Sequence, residues 1–369
     1  MNTLFLQSEV SDPYALYAEM RAAGPVHFDE ENRIWAVYSH AACKRVLASS
    51  AARIPAQNPA LLPLMNVSST ALVNGFARLA NPPRHDARRT AAMRLLGCMR
   101  EVDAAQLLTH LIEPAGECDW VASVARKLPV LAVLRASAFG KEDTDAILDG
   151  ISRLTAIMLP DKTSAQIDDI NTVAEDILGR AEQHLLHSFP SLTDDSEERR
   201  LLAVNLVGLM IQSVDAGRGL LSNALLLALR QPALHEDGEW EKLVAETLRF
   251  DPPIQNTRRV LAEEIELGKA VLPEGASVLV VLASANRDEN VFDDAHRFKL
   301  QRDSQAEHLA FGAGAHACPA HRLAVGLTAA ALRAFFGTRR QVELLQEHIA
   351  YEPMVNARLP REVRLRYSS

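Results

Sequence analysis

Leucine, valine, alanine and methionine occupy almost every turn from Leu201 to Arg230, and polar residues are scattered between them. That density predicts one long helix. About thirty residues rising about 1.5 Å each would span about 45 Å, enough to cross a whole domain. Elsewhere the pattern predicts shorter elements. Ser11-Asp12-Pro13-Tyr14 opens a short helix with Asp12 or Ser11 as its cap, and His40–Ala48 is a second helix. Val26–Phe28 and Arg33–Tyr38 alternate as strands around an acidic turn at Asp29–Asn32. Ala51 to Val73 is rich in Pro, Ala, Asn and Ser without a firm period, and predicts loop with short helical turns. Cys98 to Arg200 predicts acidic helices capped at Asp143 and Asp161, with an exposed loop at Ser191–Glu198. Glu246–Arg249 belongs to a further helix. Asp251–Thr257 is extended, Pro273-Glu274-Gly275 turns, and Val278–Leu282 and Arg361–Tyr367 are strands. No repeat interrupts the series. The expectation is a mainly α fold with small β-sheets.

One polar-poor stretch does not fit a helix or a strand: His308-Leu309-Ala310-Phe311-Gly312-Ala313-Gly314-Ala315-His316-Ala317-Cys318-Pro319-Ala320. Gly312 and Gly314 admit backbone angles closed to other residues and a close approach to a flat partner. Pro319 suits the first position of the helix that follows. Cys318 then lies at a helix N-terminus, where free N–H groups and the dipole favour a thiolate. A thiolate so held is an axial ligand for haem iron. Two other readings of these residues remain. Cys318 could be a core cysteine beside a glycine turn, or His316, Cys318 and His321 could belong to a zinc site that still needs a fourth ligand.

Composition narrows the classes. The chain has 369 residues and a net charge of −8, which argues against nucleic acid as the main partner. Cys43, Cys98, Cys118 and Cys318 are too few and too scattered for a disulfide framework, so a reducing cytoplasm is expected. No signal peptide is visible at the N-terminus. The apolar stretches near Leu128–Leu134 and Leu201–Ile211 are too short or too interrupted to span a bilayer.

The cysteine stretch resembles the haem-ligand loop of the cytochrome P450 family. In that pattern Phe, Gly, a second Gly, a basic residue and Cys stand at fixed spacing before Gly or Ala. Phe311, Gly312, Gly314, His316 and Cys318 fit, and Ala320 takes the less common last choice. Further segments match in the same order. Asn81-Pro82-Pro83 precedes His85 and Arg89, which are four apart and share a helix face. Glu246 and Arg249 match a Glu-x-x-Arg pair, and Arg297 matches the third member of its network. The resemblance implies the P450 fold in a single domain, residues 1–369, and a soluble bacterial type. It implies haem b with Cys318 on the iron, and His85, Arg89, Arg259 and His316 on its propionates. Phe311 would pack near the thiolate, with Gly312 and Ala320 in the same cofactor loop. Met65, Val67, Leu72 and Val73 would line the substrate pocket with Asp251–Thr257.

The implied activity is monooxygenation of a small, largely apolar organic substrate of specialised metabolism, such as a terpenoid or polyketide. Electrons would come from NAD(P)H through a ferredoxin reductase and a ferredoxin, and the protein would be a monomer. Arg84, Arg88, His321 and Arg322 would offer the acidic ferredoxin a basic face, Arg89 on the same helix being assigned to haem. The long helix departs from the family, which places an acid and then a threonine there. An ungapped frame from Leu229-Arg230-Gln231-Pro232 puts Asp215 at the acid and Ala216 at the threonine. A frame on Ala216-Gly217 puts Gly219 and Leu220 there and needs a one-turn deletion. Both lack the alcohol, and Ser213, one turn earlier, is expected to face away. Protons would then come through Asp215 and a polar group on the substrate, through Asp215 and water alone, or the enzyme would use peroxide. A rearrangement catalyst and a haem-binding sensor without turnover are the remaining alternatives.

Overall fold

The computed structural model describes residues 3–159, 161–189, 191–192, 195–231, 238–303, 305–339 and 341–368. It is mainly helical with small sheets, and its residues fall into two compact units. One comprises Met1–Arg53, Ala104–Ala125 and Asp215–Ser369; the other comprises Ile54–Asp103 and Arg126–Val214.

The first unit is built on a five-stranded sheet. Its strands are β1 (Val26–Asp29), β2 (Ile34–Val37), β3 (Ala52–Arg53), β5 (Thr257–Leu261) and β8 (Ser277–Val280), in the order β1-β2-β8-β5-β3. Only β2 and β8 run parallel, with Trp35 opposite Val278. Side-chain alternation sorts the two faces. Ile34, Ala36 and Leu279 pack with Tyr14, Tyr17 and Met20 of helix Pro13–Ala23. Val37, Val278 and Val280 pack with Cys43, Val46 and Leu47 of helix His40–Ala48. Both helices start where expected. Asp12 accepts hydrogen bonds from the Tyr14 and Ala15 amides, and Ser39 accepts one from Ala42. The acidic turn is tied to the N-terminus. Burial pulls the Asp29 carboxyl up, but hydrogen bonds from Thr3 and Asn32 outweigh it and hold the group well below the usual range.

A second sheet joins β4 (Gly116–Asp119), β10 (Arg364–Ser368) and β9 (Gln341–Leu344) in that order. Leu365 and Tyr367 turn inward, whereas Arg366 pairs outward with Glu117 and Glu343 on its two neighbours. The strand β4 lies where the sequence predicts only helix. Its four residues carry no period of their own, and their partner is distant in sequence. Strands β6 (Ile265–Leu267) and β7 (Ala270–Leu272) form a small hairpin.

The other unit is helical: Val67–Gly75, His85–Cys98, Leu128–Ala136, Lys141–Leu154, Ser164–Ser188 and the start of Ser196–Leu229. Its core holds Leu72, Phe76, Leu134, Ile147, Leu154, Ile177 and Val207. Three local expectations change here. Helix Val67–Gly75 replaces the end of a predicted loop. Asn66 caps it through the Ser69 amide, and Asn171 grips Asn66 in turn. Gly140, not Asp143, precedes helix Lys141–Leu154, and Asp143 instead binds Arg180. Thr163, not Asp161, caps helix Ser164–Ser188, because Gln166 three residues on completes a reciprocal capping box.

The predicted long helix is present as Ser196–Leu229, 34 residues, starting inside the loop expected at Ser191–Glu198. The boundary between the units falls within it, between Val214 and Asp215. Among the described residues, no helix is long and apolar enough to cross a membrane.

Candidate functional site

The cysteine loop is held by backbone geometry. The Leu309 amide donates to Asn286 Oδ1 at 2.6 Å, Gly312 N to Leu309 O at 2.8 Å, and Cys318 N to Phe311 O at 2.8 Å. Gly312 and Gly314 take φ of 70° and 67°, the left-handed region predicted for them. At Gly314 there is also no room: a Cβ would lie 2.6 Å from Leu47 O and 3.0 Å from Ala48 Cα. The close partner is thus the backbone of helix His40–Ala48. The following helix starts at His321, after a Pro319-Ala320 turn. Pro319 is therefore not its first residue, and Cys318 precedes the helix instead of opening it. Ala320 occupies the cap position with φ −95° and ψ 15°, outside helical values, which delays the first helical turn.

Around Cys318 the surface is apolar and half-exposed: Phe311, Pro319, Ala320, Leu323, Ala324 and Leu327. A thiol set in such a surface fits a flat apolar macrocycle carrying a thiophilic metal. His316 is half-exposed on the same loop. Among the described residues, no group of three or more His, Cys, Asp or Glu is placed to hold a metal ion, so the zinc reading finds no ligand set.

His308 begins the loop, with its ring 5.8 Å from that of Phe311. Its Nδ1 is buried without a hydrogen-bond partner among the described residues. Burial pushes the imidazole down to about 4. The unfolded chain, with histidine near 6.5, therefore takes up this proton first as pH falls. Stability from this group is complete above about pH 6.5 and is lost as pH falls toward 4, by about 3 kcal/mol. Thermal unfolding of wild type and His308→Gln from pH 7 to 4.5 checks this. The variant should lose part of the acid sensitivity, and parallel curves would refute it.

Behind the loop lies a buried ionic network. Glu246 and Arg249 are both fully buried and pair at 2.7 and 2.8 Å. Arg249 also donates to the carbonyls of Asn286, Ala295 and Arg297. The third side chain is not Arg297, as the sequence suggests. Arg297 is exposed and contributes its carbonyl, while the Arg302 guanidinium reaches Glu246 Oε1 at 3.0 Å. The path of the loop between them decides this, and no local pattern encodes that path. Asn286 connects the network to the cysteine loop, since its amide also donates to Leu248 O at 3.2 Å.

The residues expected at the propionates fall in both units. His85 is 2% exposed at the start of helix His85–Cys98, with Nδ1 3.4 Å from the Asp86 carboxylate. Arg89 follows one turn later and is half-exposed. Arg259, in the unit that holds Cys318 and His316, is buried on β5 and donates to Thr257 Oγ1 at 3.0 Å and Arg258 O at 2.8 Å. Of the expected pocket residues, Leu72 and Val73 lie in their unit's core, Met65 packs against that core, and Val67 is exposed. Pro252, Pro253, Gln255 and Asn256 are buried, and Gln255 bonds Pro252 O and the Tyr14 hydroxyl.

On the long helix, every residue from Leu202 to Ala228 is buried except Gln212, Ser213, Asp215, Ala216 and Gly217. Gly219 and Leu220, the pair of the gapped frame, face their own unit. A Cβ on Gly219 would lie 2.5 Å from both Pro253 Cβ and Leu359 Cδ2, and Leu220 is 2% exposed. Ser213 lies within the accessible stretch, three residues before Ala216. That spacing was available in the sequence.

The profile of the family described as Cytochrome P450 matches residues 240–331, the segment from the Glu246 helix through the cysteine loop. The chain is 28% identical over 372 aligned residues to cytochrome P450 monooxygenase PikC of Streptomyces venezuelae, covering 91% of this chain and 85% of that one. It is 26% identical to cytochrome P450 119 of Sulfolobus acidocaldarius, covering 96% and 99%. This chain is a cytochrome P450. The structure of CalO2 superimposes with a TM-score of 0.86 at 21% identity, covering 100% of this P450 and 99% of that chain, which carries the fold alone. Members of the family bind haem iron, so haem is the cofactor of this P450, and the enzyme class is monooxygenase.

Proposed function

We propose that residues 1–369 form one haem domain that oxidises a small, largely apolar organic molecule of specialised metabolism. The carrying observation is Cys318 on a backbone-locked loop within a half-exposed apolar surface. When bound, haem supplies oxygen activation at its iron. Cys318 would ligate the haem iron, with Phe311, Gly312 and Ala320 lining its loop. His85, Arg89, Arg259 and His316 would hold the propionates. Asp215 would pass protons inward from water, on the helix face where Ala216 stands in place of an alcohol. One relative named for its substrate supports an organic small molecule: cyclomarin C epoxidase CymV of Salinispora arenicola, 27% identical over 378 aligned residues.

The electron donor would be a ferredoxin with its NAD(P)H-dependent reductase. Arg84 and Arg322 are exposed, while Arg88 is half-buried and donates to Arg84 O at 2.9 Å. Arg84 and Arg322 therefore replace Arg88 as the better docking candidates. Charge reversal at Arg84 and Arg322 should slow reduction by an acidic ferredoxin, with an effect that shrinks as salt rises. Unchanged reduction at low salt would remove this docking face. The absent alcohol at Ala216 favours a second reading, peroxide use. Turnover with hydrogen peroxide but none with NADPH, reductase and ferredoxin would select it.

A further inference from the structure

The accessible stretch of the long helix is short, and its centre is chemically blank. Successive residues turn by about 100° in an α-helix, so Asp215 and Gly217 lie about 100° to either side of Ala216. Gln212 and Ser213 lie only about 40° and 60° from it, one turn toward the N-terminus. The five accessible positions thus form one window with Ala216 in the middle. Ala216 and Gly217 bring no hydrogen-bonding side chain to it. The two polar side chains nearest the centre are Gln212 and Ser213.

These two differ in what they can do with a proton. The Gln212 amide is folded back along the helix and donates to Gly208 O at 2.8 Å. An amide N–H does not exchange donor for acceptor on one atom. The Ser213 hydroxyl donates to Met210 O at 2.7 Å. Its oxygen keeps two lone pairs as acceptors, and the hydroxyl hydrogen can rotate. It can therefore hold a water and pass a proton through the same oxygen. Helical side chains lean toward the N-terminus, so a hydroxyl at position 216 would lean over the turn that Ser213 occupies, while the Ser213 hydroxyl itself leans on toward Met210. Delivery from Ser213 would then run through one water, the reach that proton transfer allows.

We infer that Ser213 is the catalytic hydroxyl of this enzyme, ordering the water that carries protons from Asp215 along the accessible face of the helix. Asp215 gives up its proton to that water and recovers one from solvent. No electron or heavy-atom bond changes in the relay. A hydroxyl on the chain itself removes the need for the substrate to bring one. The inference rests on the proposed function, which places this face on the oxygen side of the cofactor.

Carbon monoxide bound to the reduced protein is the first probe, because its C–O stretch reports hydrogen bonds donated to it. Ser213→Ala should move the stretch to higher wavenumber, and Ser213→Thr should leave it near the wild-type value. The second measurement is hydrogen peroxide released per NADPH, using a surrogate ferredoxin pair without added substrate. Ser213→Ala should raise it, and adding Ala216→Thr to that variant should bring it back, since the hydroxyl returns to the window from one turn away. Rescue of this kind is not expected from a merely structural serine. An unchanged C–O stretch in Ser213→Ala overturns the inference. So does a double variant that keeps the red-shifted carbon monoxide band but still releases the excess peroxide. If wild type itself lacks that band, the haem-thiolate reading fails instead.

Discussion

Cys318→Ala will give a protein whose reduced form no longer shows the strongly red-shifted Soret band with carbon monoxide. Only thiolate ligation of haem iron produces that band, and the other cysteines are badly placed for it. Cys43 is fully buried against Val37 O, and burial drives its thiol far above the ordinary range. Burial also raises the Cys118 thiol, on β4 beside Tyr367. Cys98 is exposed at the end of its helix. Alanine at any of these three should leave the band in place. The effect at Cys318 is all-or-none because a methyl group has no donor to substitute for sulfur. Structure should survive, since the loop is fixed by the bond from Cys318 N to Phe311 O and by Gly314, neither of which uses the thiol. Circular dichroism and the spectrum together check it. A Cys318→Ala protein with the wild-type band would exclude Cys318 as ligand.

The second large effect is at Glu246. Glu246→Ala removes the carboxylate that faces two guanidinium groups, Arg249 and Arg302, in a place water does not reach. Breaking a buried pair from one side costs about 3–5 kcal/mol, because the remaining charge stays buried without its counter-charge. Against a total stability of about 5–15 kcal/mol, that fraction should abolish most soluble holoprotein. Replacing Glu246 and Arg249 together by methionine should cost less than Glu246→Ala alone, since no orphan charge is left from that pair. Arg302→Ala should also be costly, whereas Arg297→Ala should be nearly silent, because only the carbonyl of Arg297 takes part. Urea midpoints of the four variants measure the order. A Glu246→Ala change below about 1 kcal/mol would show that solvent reaches this network, against the burial argued above.

Much of this was legible in the sequence where the signal is local. Helix His40–Ala48 matches residue for residue because Ser39 is a strong cap followed by an amphipathic turn. The positive φ of Gly312 and Gly314 follows from glycine in a turn that must reverse direction. What escaped depends on contacts far apart in the chain. Strand β4 exists because β10, some two hundred and fifty residues later, pairs with it; the register sets Cys118 opposite Leu365. Helix Val67–Gly75 is stabilised by Asn171, which no window around Ser68 contains. Arg302 displaces Arg297 for the same reason. The offset of three residues between Ser213 and Ala216 is local and needed only the helical period to interpret.

Gly314 has a consequence for how this protein can drift. At Gly314 the cysteine loop meets the main chain of Leu47 and Ala48 with no side chain between. Packing through side chains transmits each core substitution as a small displacement. A main-chain contact transmits none, because every residue type has the same peptide oxygen. At that one point the loop is indexed to atoms that side-chain exchange does not alter, while Leu309 and Ala313 pack by side chains in the cluster that holds Val46 and Leu47. At Gly314 itself, where φ is 67° and a Cβ would meet Leu47 O at 2.6 Å, exchange for any other residue is costly.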